Sequence, residues 1–159
     1  MLTEQRLCSA DGTRLSVSTL SQLRRLTAAH KEAYSKVVLA ATAELASALV
    51  DMPTEMRDER QVGLVSSINW RLNAQAEFYA NRERWLDAAE EICFLIESRR
   101  ETCSFSADGV DLSDDDDLAR FSELLNIIQA TQEADVTSLQ ERLARLSRSA
   151  AVLGIGSPT

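Results

Sequence analysis

The chain contains one histidine, His30, and three cysteines, Cys8, Cys93 and Cys103. A single histidine excludes any zinc site that takes two imidazoles from the protein. The cysteines are odd in number and none are spaced as Cys-x-x-Cys, so the sequence has neither a redox motif nor a zinc knuckle. We therefore expect no bound metal, and we expect free thiols in a reducing compartment, which favours the cytoplasm.

Aspartates cluster between residues 108 and 117, and such a cluster invites a calcium interpretation. A calcium loop needs oxygen ligands at alternating positions, a central glycine and a closing glutamate, and this run lacks that order. We predict instead that Ser113 caps a helix and that Asp116 closes a capping box. The other carboxylates then stabilise the positive end of the helix dipole.

Motifs that activate a nucleophile or hold a phosphate are missing from the sequence. It contains no Gly-rich phosphate loop, no Ser-His-Asp set and no Glu-x-x-His metal motif. We therefore predict that the protein is not an enzyme, with no catalytic residues and no cofactor.

Two groups of residues are candidates for interaction. Leu139, Leu143 and Leu146 recur at 4-3 spacing beside Arg142 and Arg145, a pattern typical of an amphipathic helix that binds a protein partner. The arginines could equally form ion pairs with acidic side chains of the same chain or of a second copy. Upstream, Trp85 belongs to an aromatic series at seven-residue spacing; such residues line a pocket or, more often, a core.

Length and composition favour one helical domain. The chain has 159 residues, 45% of them hydrophobic, with only five glycines and two prolines. So few breakers predict long helices rather than a β-sandwich. The net charge of −8 argues against nucleic acid as a partner. No uninterrupted apolar run approaches the roughly 18 residues of a membrane span, so we expect none.

Apolar periodicity predicts three long helices over residues 19–50, 54–101 and 113–153. The second is long enough that we expect a kink or a short leading helix. The predicted fold is all-α: an elongated antiparallel three-helix bundle with a small β-hairpin-like cap at one end. Its predicted parts are an N-terminal arm or hairpin (1–17), the bundle (18–153) and a flexible tail (154–159).

The cap is predicted from a short internal repeat. The pattern S-A-D-G-x-x-L-S occurs at residues 9–16 and again at 106–113, each time just before a long helix. Asp-Gly is a strong hairpin signal because a type I′ turn needs positive φ at both central residues. In an up-down-up bundle both segments would lie at the same end, where we expect them to close the core.

The expected function follows from two observations: the predicted helices have apolar stripes, and the sequence has no catalytic motif. Of the 17 basic residues only Lys31 and Lys36 are lysines, a bias typical of a GC-rich bacterial genome. We expect a cytoplasmic bacterial adaptor, chaperone or regulator that acts through coiled-coil-like surfaces. Its partner would be another protein or a second copy, with a homodimer preferred. Two alternatives stay open: a component or effector of a specialised secretion system, exported without a cleavable signal, and a small-molecule or ion sensor.

Overall fold

The computed structural model describes residues 2–106 and 109–152. They form four helices and two strands, in the order α1 (Glu4–Leu7), α2 (Ala10–Val50), α3 (Thr54–Ser98), β1 (Cys103–Ser106), β2 (Gly109–Leu112) and α4 (Asp115–Val152). The described chain is therefore mostly helical with one small antiparallel sheet, as predicted at the level of fold class. The predicted count of three helices is not confirmed, because the four-residue α1 precedes the three long ones.

The first S-A-D-G segment is helical, so the predicted N-terminal hairpin is wrong. Ser9 has extended backbone angles and its Oγ accepts a hydrogen bond from the Gly12 N–H at 3.1 Å. This N-cap satisfies a donor that a helix would otherwise leave free, and α2 begins at Ala10 instead of residue 19. A Cβ at Gly12 would lie 2.2 Å from the Arg6 carbonyl oxygen, so glycine serves here to let α1 approach α2.

The second S-A-D-G segment forms a hairpin as predicted, but Gly109 lies in β2 rather than at a central turn position. Strands β1 and β2 pair antiparallel, with Phe105 opposite Val110 and Ser106 opposite Gly109. Gly109 has a φ of +130°, which an L side chain rarely adopts. The central pair of residues, 107–108, lies outside the described residues, as do the end of the predicted third helix and the predicted tail. The two repeats thus have the same sequence signal and different structures.

Helix α3 is uninterrupted, so the predicted short leading helix is wrong. Its 45 residues correspond to about 68 Å at 1.5 Å per residue. Gly63 is exposed within it and does not break the hydrogen-bonded ladder. Helix α4 is capped by Asp114 rather than by Ser113, because the Asp114 carboxylate accepts from the backbone N–H groups of Asp116 and Asp117.

Helix α3 lies between α2 and α4 and is antiparallel to both. On one side the α2–α3 pairs are Arg24–Asp87, Arg24–Glu90 and His30–Tyr79, where the Tyr79 hydroxyl lies 2.9 Å from His30 Nδ1. On the other side the α3–α4 pairs are Glu91–Arg120, Arg82–Asp135 and Ala74–Arg142. In both sets one residue number falls as the other rises, as antiparallel packing requires.

The hydrophobic core occupies only one end of these long helices. It consists of Leu7, Leu20, Leu86, Ala88, Ala89, Ile92, Cys93, Ile96, Leu112, Phe121 and Leu124. We call the end that contains it, residues 2–30 and 79–131 without 107–108, the capped half. Residues 31–75 and 132–148 form the open half, in which Gln75 is the only buried residue described.

The sheet and the chain's N-terminal segment close the end of the capped half. Partly buried Phe105 and Val110 of the hairpin pack against the core. Arg100, just after α3, donates to the Thr13 hydroxyl at 2.7 Å and to the Leu7 carbonyl at 3.3 Å. These bonds tie the start of the chain to the end of α3.

Candidate interaction surface

From the end of the capped half through the open half, α4 faces α3 with polar side chains. Thr131, Asp135, Ser138 and Arg142 follow 4-3-4 spacing and are buried or half-buried. Asp135 forms an ion pair with Arg82 at 3.6 Å, and Arg142 donates to the Ala74 carbonyl at 3.0 Å. The intrachain contact of this helix is therefore made largely by hydrogen bonds and charge.

The apolar side chains of the same segment are left in solvent. Val136, Leu139, Leu143 and Leu146, which we call the leucine stripe, follow 3-4-3 spacing and are each more than half exposed. The structure thus places the three predicted leucines on one face of α4, beside the face that packs on α3. An exposed apolar stripe of this kind marks an interaction surface more often than a scattered leucine does.

Arg142 and Arg145, also predicted, line an open groove beside the stripe. The groove has a volume of about 500 Å³ and is lined by Tyr34, Ser67, Trp70, Arg71, Ala74, Gln75, Arg142, Arg145 and Leu146. The guanidinium carbon of Arg145 lies 3.7 Å from the centroid of the Trp70 ring, a stacked cation–π contact. Among the described residues, neither Arg142 nor Arg145 has a carboxylate within ion-pair distance. The alternative, in which these arginines pair with acids of the same chain, is therefore not observed there.

The remaining predicted residue, Trp85, lies elsewhere. It is half-buried and packs against the core of the capped half, so it does not join the leucine stripe. The sequence prediction selected Trp85 as the interaction residue, whereas the tryptophan beside the leucine stripe is Trp70, which the sequence offers only as one of several aromatic residues that could line a pocket. The spacing of Trp70 from Arg145 in the chain carries no signal, because only the antiparallel pairing of α3 and α4 brings the two together.

The second half of α2 is apolar on more than one face. Val37, Leu39 and Val50 are each about two-thirds exposed. Leu39, Ala43, Ala46 and Val50 follow 4-3-4 spacing, and all four are exposed. A helix that is apolar all round usually lies inside a larger assembly or a membrane. By length and composition α2 is the one described helix that could cross a membrane, a weak indication that leaves the expectation of no span untested.

The accessible surface of the chain is large for its mass. It amounts to 11184 Å², whereas a compact monomer of this mass exposes about 7900 Å² by the usual scaling. The difference is about 3300 Å². Long helices with an uncovered open half contribute to it, and it exceeds what one partner of a stable dimer usually buries.

One carboxylate of the acidic run and two of the three thiols are either paired with another side chain or at least partly shielded by burial. Asp117 of the acidic run pairs with Arg99, and no group of three or more potential metal ligands occurs among the described residues. Burial raises the pKa of the Cys93 thiol to about 11, and burial also raises the pKa of Cys103. These two thiols are therefore protonated at neutral pH, and thiols are poor nucleophiles in that form.

Comparisons with protein-family models, with curated proteins and with solved structures find no match for this chain.

Proposed function

We propose that this protein is a non-catalytic helical interaction protein that self-associates through its open half. The observation that carries the proposal is the arrangement of α4, whose polar side chains face α3 while its leucine stripe faces solvent. Burying the exposed part of these four aliphatic side chains, a little over half of each, would stabilise an assembly by roughly 1–1.5 kcal/mol each. The elongated bundle would then be completed by helices of a second copy.

A second copy is the occupant that the surface area favours. Obligate homodimers commonly bury 2000–5000 Å² in total, about half of it from each partner. The chain's excess of about 3300 Å² over a compact monomer supplies that area, and the exposed stripes on α2 and α4 lie on the same half of the molecule. Heptad-spaced stripes are the sequence pattern from which coiled-coil interfaces are built.

Sedimentation equilibrium of the full chain tests this proposal. We expect a mass twice 17.6 kDa at high micromolar concentration. Leu143→Glu, which places a charge in the middle of the leucine stripe, should shift the protein to monomer. The matched control is Leu125→Glu, which alters an exposed leucine on the same helix in the capped half and should leave the dimer intact.

A monomer at every concentration would contradict the proposal, as would equal dissociation by both variants. Circular dichroism of each variant establishes that its helices remain. The cytoplasmic and bacterial setting stays a prediction from composition.

A further inference from the structure

The groove between the helices of the open half differs from the surface around it in charge. Three arginines line it, Arg71 from α3 and Arg142 and Arg145 from α4, and none of its lining residues is acidic. The chain as a whole carries a net charge of −8. The groove is thus a basic patch on an acidic protein, and such a patch raises the local concentration of anions.

Two of these arginines are held in place by contacts that leave donors free. Arg145 lies over the ring of Trp70 and uses the face of its guanidinium, so the N–H groups at the edge stay available. Arg142 uses one Nη to donate to the Ala74 carbonyl. Among residues 2–106 and 109–152, neither arginine has an ion-pair partner. Pre-positioned guanidinium groups of this kind suit a carboxylate or a phosphate, which they bind bidentately.

The rest of the lining is apolar or aromatic. Tyr34, Trp70, Ala74 and Leu146 provide an apolar wall next to the arginines. A groove of about 500 Å³ falls in the usual range of small-molecule sites. The volume of the groove, its apolar lining and its positive charge together fit a small molecule with an apolar body and one anionic group.

We infer that this groove binds a small amphipathic anion, with its acid group on Arg142 and Arg145 and its apolar body along Trp70 and Leu146. Arg71 adds a third positive charge from the facing helix. The inference stands apart from self-association, because the groove shares only Leu146 with the leucine stripe. A chain that proves monomeric can still bind the anion, and a dimer can lack the site.

Decanoate is a suitable probe because it does not absorb where tryptophan emits. The chain has two tryptophans, so Trp85→Phe leaves Trp70 as the single reporter within the groove. We expect a saturable change in Trp70 emission with one decanoate bound per chain. Decanol, which has the same body without the charge, should bind at least about tenfold more weakly, since charge-assisted hydrogen bonds are the stronger class.

Arginine variants in the same background locate the site. Arg145→Gln should weaken decanoate binding by about tenfold or more. Arg148→Gln makes the same charge change one turn along α4, outside the groove lining, and should leave the affinity within about twofold. Arg71→Gln, on α3, gives a second test should Arg145→Gln disturb α4.

Absence of saturable binding would overturn the inference, and so would equal affinity for decanol and decanoate. Equal weakening by Arg145→Gln and Arg148→Gln would show that net charge, rather than the groove, attracts the anion.

Discussion

In the capped half leucines from five different elements are buried in one cluster, whereas in the open half leucines of the same long helices face solvent. Leu20, Leu86 and Leu124 are almost fully buried, while Leu39, Leu139 and Leu146 are more than half exposed. The helices themselves continue through both halves. Helical backbone and apolar periodicity are therefore not enough to form a core; side chains from other elements must also cover the stripe.

The arginines show the same contrast. In the capped half Arg24, Arg99 and Arg120 pair with carboxylates of other helices or of the same helix. In the open half Arg71 and Arg145 have no ion pair among the described residues. Surface ion pairs add little stability individually, so this contrast bears on where charge remains available for a ligand rather than on folding.

The largest expected effect tests whether stability is confined to the capped half. Leu86→Ala removes a fully buried side chain and should lower the free energy of unfolding by about 3 kcal/mol. Leu39→Ala makes the same change at a side chain that is 70% exposed and should stay within about 0.5 kcal/mol of the parent. Urea unfolding in dilute protein measures both, because self-association then contributes least.

A similar loss in the two leucine variants would show that α2 is covered in its second half even in the monomer, and the contrast between the halves would fail.

A glycine in each half gives the next comparison. Gly12→Ala should destabilise the protein by about 1–3 kcal/mol, because the new Cβ would meet the Arg6 backbone that lies against α2. Gly63→Ala has open space around its Cβ and lies inside an exposed helix, so it should stabilise by about 0.5–1 kcal/mol. Thermal or urea unfolding should thus give shifts of opposite sign. Shifts of the same sign would contradict the close approach of α1 to α2.

The helix ends and the two S-A-D-G repeats show how far the sequence could predict the structure. The helix ends near Val50 and the start of α3 were predicted closely because Pro53 marks them. The Asp-Gly signal predicted a hairpin correctly at one repeat and wrongly at the other. At the first, Ser9 provides an N-cap and Gly12 lets α1 approach α2, so the same four residues begin a helix instead of a turn.

The interaction surface on α4 was also only partly predictable from the sequence. Periodicity placed Leu139, Leu143 and Leu146 on one face of a helix, and that placement holds in the structure. Periodicity did not indicate that polar residues of α4 would face α3, because an apolar stripe is normally assigned to the intrachain core. The contact of Arg145 with Trp70 could not be predicted from the sequence either, because only tertiary packing brings the two residues together.

The smallest expected effect concerns an arginine–carboxylate pair of the capped half, Arg120 with Glu91. The Arg120 guanidinium donates two hydrogen bonds to the Glu91 carboxylate and holds the pKa of that carboxyl below its ordinary value. A carboxyl whose pKa is lowered on folding stabilises the native state above its unfolded pKa of about 4.3, and the contribution is lost as the pH falls through the folded pKa.

Glu91→Gln should therefore be slightly less stable than the parent at neutral pH, and the difference should vanish in acid. Glu141→Gln alters an exposed α4 glutamate of the open half with no ion pair among the described residues, and its stability at neutral pH should stay close to that of the parent. Urea midpoints across this pH range measure both variants. A constant difference for Glu91→Gln would mean that the pair does not form in solution, and the two halves would then differ in their leucines but not in their charges.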